Sequence, residues 1–141
     1  MVGSILGDIA GSVYEFHNIK TKEFPFLTPQ KGYTDDSILT LATADWLLHG
    51  GDCATYYFRY ATRYPCPLGG FGGRFREWLH QGQQTGQLRP YGSCGNGSAM
   101  RVGPVGWAFP PTLRMQTMLY LPTHFQQIVT EFEGKFGPEI R

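Results

Sequence analysis

Residues 34–51 read TDDSILTLATADWLLHGG, and this stretch decides the fold class. Thr34 places a hydroxyl where a helix needs an N-cap, Asp35 and Asp36 put negative charge into the first turn, and Gly50-Gly51 supplies the stop. Between them Ile38, Leu41, Ala42, Trp46 and Leu47 recur at three- and four-residue spacing. The stretch is therefore expected to be a helix with one apolar stripe.

The same periodicity extends in both directions. Towards the N-terminus, Ile5, Leu6, Ile9 and Val13 predict a helix over 2–16, with Gly3, Gly7 and Gly11 on another of its faces. Each glycine weakens a helix by about 1 kcal/mol relative to alanine, so their expected purpose is close approach of another backbone or of a ligand. Residues 17–33 carry Pro25, Pro29 and Gly32 without a clean period and read as a surface loop. Towards the C-terminus, Tyr56, Tyr57 and Tyr60 predict a helix over 53–64 closed by Pro65 and Pro67, and 68–73 is a glycine-rich turn. Phe71, Phe75, Trp78 and Leu79 predict a short amphipathic helix ending near Gly82, with 81–87 as loop. A second glycine-rich segment, 91–97, leads into 98–107, whose helical pattern is interrupted by Gly103 and Pro104. Beyond Phe109 come Pro110-Pro111, an apolar run with weak helical order, and a last segment, 125–141, with room for one short helix. No long period-two alternation occurs, so the fold is expected to be all-α.

Composition narrows the class. A chain of 141 residues forms one domain, and such a domain buries roughly two thirds of its unfolded surface. With 41% hydrophobic and 16% charged residues it is globular rather than disordered. Twelve Lys and Arg against eleven Asp and Glu provide no basic stripe to hold a phosphate backbone, which argues against nucleic acid as a partner. Cys53, Cys66 and Cys94 fit neither a disulfide framework nor a zinc knuckle, so reduced thiols are expected. The first residues lack the pattern of a signal peptide, and no apolar run nears the roughly 20 residues of a membrane span. A soluble cytoplasmic protein, with no membrane partner, is the expectation.

Three constellations can carry chemistry. Thr34, Asp35, Asp36 and Ser37 gather hard oxygen donors at a helix start, which suits magnesium, manganese or calcium, although the same residues are also ordinary capping. Gly92, Ser93, Cys94, Gly95, Asn96, Gly97 and Ser98 can turn bare backbone amides towards a phosphate, with the following helix adding its dipole, or can simply be a tight turn. Asp8 and Glu15 stand seven residues apart, about two turns along one helix face. One of them can serve as a general acid or base, and Asp8 can instead be a buried polar contact. Arg101 is either a substrate contact or, as a single arginine in a helix more often is, structural.

In this order, GDIAGSVYE at 7–15, YTDDS at 33–37, FGGRFREW at 71–78 and GNGSAMR at 95–101 resemble the ADP-ribosylglycohydrolase family, over about residues 1–109. The resemblance implies a multi-helix orthogonal bundle whose cleft binds ADP-ribose beside two Mg2+ (or Mn2+) ions. It implies hydrolysis of the glycosidic bond that joins ADP-ribose to a modified residue of a protein or to a small molecule. Thr34, Asp35 and Asp36 match the family's N-terminal metal ligands. Glu15 matches the glutamate implicated in catalysis or in holding the distal ribose, and residues 92–98 match the loop that contacts diphosphate and ribose.

The sequence departs from the family after Trp107. The family's Asp-x-Asp-Thr/Ser motif, which supplies the remaining metal ligands, has no counterpart, because no Asp follows Asp52. The family's Thr-His-x-His-Pro stretch is reduced to Thr123-His124. We therefore expect residues 110–141 to be a divergent tail of a truncated or frame-shifted product that binds metal weakly and exposes helix faces open to self-association. The alternatives to an active hydrolase are a non-catalytic ADP-ribose-binding fragment and an inactive remnant.

Overall fold

The computed structural model describes residues 1–108, and every regular element among them is helical. The order is α1 (Val2–Gly11), a 3-10 turn (Ser12–Tyr14), α2 (Asp35–His49), α3 (Cys53–Arg63), α4 (Gly73–Thr85), α5 (Gly97–Met100) and α6 (Gly103–Ala108). The all-α expectation holds. The apolar run after Pro111 and the helix expected within 125–141 lie outside the described residues.

α2 starts and stops where its caps predict. The Thr34 hydroxyl accepts from the Asp36 amide at 3.2 Å, and Gly50, at φ 72°, donates its amide to the Trp46 carbonyl at 2.7 Å. Its buried face differs from the predicted stripe: Leu39 is completely covered whereas Leu41 is exposed. The reason is position. α1, α3 and α6 all pack on α2, and a helix covered from several sides has no single stripe. Ser37, Thr40 and Thr43 are buried with Ile38, Leu39 and Ala42. Thr43 meets the cost of its burial by donating to the Leu39 carbonyl at 2.8 Å and sharing a 2.9 Å hydrogen bond with the Tyr57 hydroxyl. Ile38 and Leu39 form the core with Ala61 of α3 and Phe71, flanked by Tyr57, Tyr60, Phe75 and Leu79. Covering Leu39 alone contributes roughly 1.5–3 kcal/mol.

Two helix ends differ from expectation. α4 runs through Gly82 to Thr85 and stops at Gly86, whose φ of 68° is left-handed. Gly82 is a point of close approach instead: a Cβ there would lie 2.7 Å from Leu88 and 2.9 Å from the Phe58 ring. Gly82→Ala is expected to destabilise by about 1–3 kcal/mol through overpacking, against a helix-propensity gain of at most about 1 kcal/mol. Urea unfolding checks this, and a more stable variant would show that Phe58 and Leu88 simply move aside. α1, predicted to reach Phe16, ends at Gly11. There the Lys31 ammonium takes the Ala10 carbonyl at 2.6 Å and the Ser12 hydroxyl takes that of Ile9 at 2.9 Å, which tightens the chain into the 3-10 turn.

The α1 glycines do not admit another backbone among the described residues, since a Cβ at Gly3, Gly7 or Gly11 would meet nothing within 4 Å. Val2 and Leu6 of α1, Leu48 of α2 and Trp107 of α6 are exposed. Among the described residues no helix is long and apolar enough to cross a membrane.

Candidate active site

One carboxylate joins the two helices that carry the acids. Asp8 accepts from the Thr34 amide at 2.9 Å, from the Thr34 hydroxyl at 2.5 Å and from the Ser37 hydroxyl at 2.6 Å. Thr34 thus donates to Asp8 while capping Asp36, and both hydroxyl residues are buried. Gly32 adds an amide to the Ser12 hydroxyl at 3.3 Å. Residues 31, 32 and 34 therefore run beside residues 10, 12 and 8, and this pairing brings the start of α2 up to the end of α1.

Between them lies an open cleft of about 210 Å³. Gly7, Asp8, Gly11, Ser12 and Glu15 line one side, Thr34 and Asp36 another, and Met100 of α5 closes a third. The two glycines present bare backbone where side chains would fill the space. Glu15 is exposed at the cleft, beside Gly69: a Cβ on that glycine, whose φ is +80°, would stand 3.2 Å from a Glu15 carboxylate oxygen.

Burial raises the pKa of Asp36, Asp35 and Glu15, and neighbouring negative charges add to it. Burial pushes Asp36 up to about 6 from an ordinary 3.8, helped by the charges of Asp35, Asp8 and Glu15 and opposed by Arg101. Asp35 is raised by burial against the pull of the Arg101 guanidinium, and Glu15 is raised by burial and by the charges of Asp35 and Asp8. Among the described residues none of Asp8, Glu15, Asp35 and Asp36 has an ion-pair partner. Between pH 3.8 and about 6 the folded chain holds more protons at Asp36 than the unfolded chain does, so this group makes stability fall as pH rises through that window. Asp36→Asn is expected to be more stable than the parent by roughly 1–3 kcal/mol at pH 7 and nearly equal to it at pH 4. Denaturant unfolding at both pH values checks the difference, and a loss of stability at pH 7 would contradict it.

The glycine-rich segment lies beside α4, and none of its residues lines this cleft. Arg74 donates to the Gly92 carbonyl at 3.2 Å and to the Cys94 sulfur at 3.7 Å, and the Gly95 amide donates to the Ser93 hydroxyl at 3.1 Å. Asn96 caps α5 through its carbonyl, which accepts from the Ala99 amide at 2.9 Å, and Gly97 and Ser98 open the helix. α5 has four residues, too few to supply the expected dipole. Arg101 donates from Nε to the Gly97 carbonyl at 2.7 Å, lies over the Tyr57 ring and pulls on the charges of Asp35 and Asp36. Cys53, Cys66 and Cys94 are free, and burial pushes the Cys53 thiol up to about 11, which removes it as a nucleophile at neutral pH.

Thr34, Asp36 and Glu15 thus line the cleft, Asp35 does not line it and acts on Asp36 and Glu15 through its charge, and residues 92–98 flank it only through α5. Of three further contributors, the sequence marked Asp8 as a candidate and left out Gly69 and Lys31. Asp8 carried a signal, an acid among small residues on a helix. Gly69 carried a weaker one in the Gly-Gly pair, and Lys31 carried none. The donor set is all oxygen, yet among the described residues no three His, Cys, Asp or Glu side chains converge closely enough to hold an ion by themselves.

Comparison with curated proteins and with solved structures found no match. A family model does match: that of the ADP-ribosylglycohydrolases aligns with residues 1–129, past residue 109 where the sequence resemblance was expected to end. With an all-helical fold, an acid-lined cleft and a family match over most of its length, this chain belongs to the ADP-ribosylglycohydrolase family.

Proposed function

We propose that the chain takes part in hydrolysing the glycosidic bond between ADP-ribose and a modified protein residue or small molecule, with Glu15 as the proton-handling group. The observation that carries this reading is the Asp8 clamp, which holds the start of α2, with Thr34 and Asp36, across a cleft from Glu15, while none of these acids forms an ion pair among the described residues and Arg101 only partly offsets the charge of Asp35 and Asp36. Partly buried carboxylates such as Asp35 and Asp36, held beside other acids without an ion pair, cost stability, and such a cost at a cleft fits a site kept for chemistry. Glu15, raised from its ordinary value, is better matched to giving and taking a proton near neutral pH than a free glutamate. The negative charge of Asp36 at the cleft, with Asp35 next to it in the chain, favours the positive charge that develops on the sugar in an oxocarbenium-like transition state. Gly7 and Gly11 leave a flat wall along which a ribose can lie.

Thr34, Asp35 and Asp36 would hold part of a Mg2+ (or Mn2+) site, and the family resemblance implies two ions. Their oxygen-only chemistry and surplus negative charge fit a hard divalent cation. Bound there, the metal would polarise a water and the ribose hydroxyls.

A second reading, ADP-ribose binding without turnover, is favoured by two observations. The described cleft, at about 210 Å³, is smaller than the roughly 300–1,000 Å³ of ordinary ligand pockets, and no three acids gather to hold an ion. Calorimetric titration with ADP-ribose, with and without Mg2+, run beside release from an ADP-ribosylated substrate pool separates the two. Release supports the hydrolase, binding alone supports the second reading, and neither would remove both.

A further inference from the structure

Lys31 lies outside the acid cluster and sits in a site built from other parts of the chain. Its ammonium donates to the carbonyls of Ala10 at 2.6 Å, Pro25 at 2.7 Å and Phe26 at 3.4 Å. It also lies over the rings of Tyr14, 4.6 Å from the centroid, and Phe24, 5.1 Å away. Those two rings pack edge to face at 5.6 Å. A cation with several carbonyl partners and two aromatic faces is held more firmly than a surface lysine, whose four-carbon stem otherwise moves freely.

What this cation holds is the geometry of the cleft. Ala10 is in the last turn of α1, and Tyr14 closes the 3-10 turn immediately before Glu15. From Lys31 the chain passes through Gly32, bonded to Ser12, to Thr34, bonded to Asp8, and enters α2 at Asp35. One side chain therefore ties the end of α1 and the turn before Glu15 to the loop that leads into α2. We propose that Lys31 is a positioning residue: it fixes the turn that carries Glu15 and sets the register between that turn and the start of α2.

The proposal deepens the hydrolase reading and rests on it for its effect on turnover, while its structural half stands alone. A charge-free Lys31→Met keeps most of the stem, and Lys31→Arg restores the cation. Hydrogen exchange of the whole chain should show amides of 12–16 and 31–36 exchanging at least about 10-fold faster in Lys31→Met, with α4 unchanged and Lys31→Arg near the parent. Metal-dependent release of ADP-ribose should fall about 10-fold or more in kcat with KM changed less than about 3-fold, because a misplaced acid loses rate before it loses binding. Unchanged exchange at 12–16 overturns the proposal whatever the activity. Faster exchange with an unaltered kcat also overturns it, since the turn would then be held for nothing the reaction uses. A parent that neither binds nor releases ADP-ribose sinks the hydrolase reading and with it the role in turnover, and the exchange comparison still decides whether Lys31 holds the turn.

Discussion

Asp8→Ala is expected to destabilise the fold by about 3–5 kcal/mol, the largest stability loss of any single substitution discussed here. Three donors lose their acceptor at once, and all of them, the amide and hydroxyl of Thr34 and the hydroxyl of Ser37, belong to buried residues at the start of the central helix. Hydrogen bonds to a charged group contribute about 1.5–3 kcal/mol each, and donors left buried without a partner add to the loss. One effect opposes it. The Asp8 charge also raises Asp35, Asp36 and Glu15, so removing it relieves repulsion. That relief acts at longer range across an open, solvated cleft, where a charge pair is worth about 1 kcal/mol or less, so the hydrogen bonds win. A chain of this size should lose on the order of 10 °C or more in Tm. Asp8→Asn should lose less, because its amide oxygen still accepts from Thr34. Equal Tm for parent and Asp8→Ala would show that the clamp does not hold α1 to α2.

Glu15→Gln is expected to act in the opposite way, leaving the fold intact and removing turnover. The Glu15 side chain is exposed and takes part in no hydrogen bond among the described residues, so no packing or polar network depends on it. Glutamine keeps its shape and gives up its proton chemistry. Loss of a general acid or base lowers rate by about 100- to 10,000-fold, and kcat should carry that loss while ADP-ribose affinity changes little. Thermal stability at pH 7 should stay level or rise, because one member of a mutually repelling group has become neutral. Full activity in Glu15→Gln would move the proton-handling role to Asp35 or Asp36.

These two residues also mark how far the sequence was legible. The start of α2 could be read because capping is local: Thr34, its two following acids and the terminal glycines act within a turn or two of themselves. The covered face of α2 could not, because burial of Leu39 rather than Leu41 depends on which helices surround it. Gly82 looked like a stop for the same reason, since only the fold brings Phe58 and Leu88 against it. The early end of α1 depends on Lys31, 21 residues away along the chain, and no spacing rule reaches that far. Within the site, the acids were visible as types and their meeting was not. Asp8 stands 26 residues from Thr34 and 29 from Ser37, and the clamp exists only once α1 lies against α2.

Hydrolysis by the acids at this cleft, with Asp35 beside them, is our proposal. It is tested most directly by measuring ADP-ribose released from a mixed ADP-ribosylated substrate pool, with and without Mg2+ or Mn2+, by the parent chain and by Asp35→Ala. The expected result is release that requires metal and is lost in the variant. Release that persists without metal and in Asp35→Ala, or no release by the parent under any condition, would contradict it.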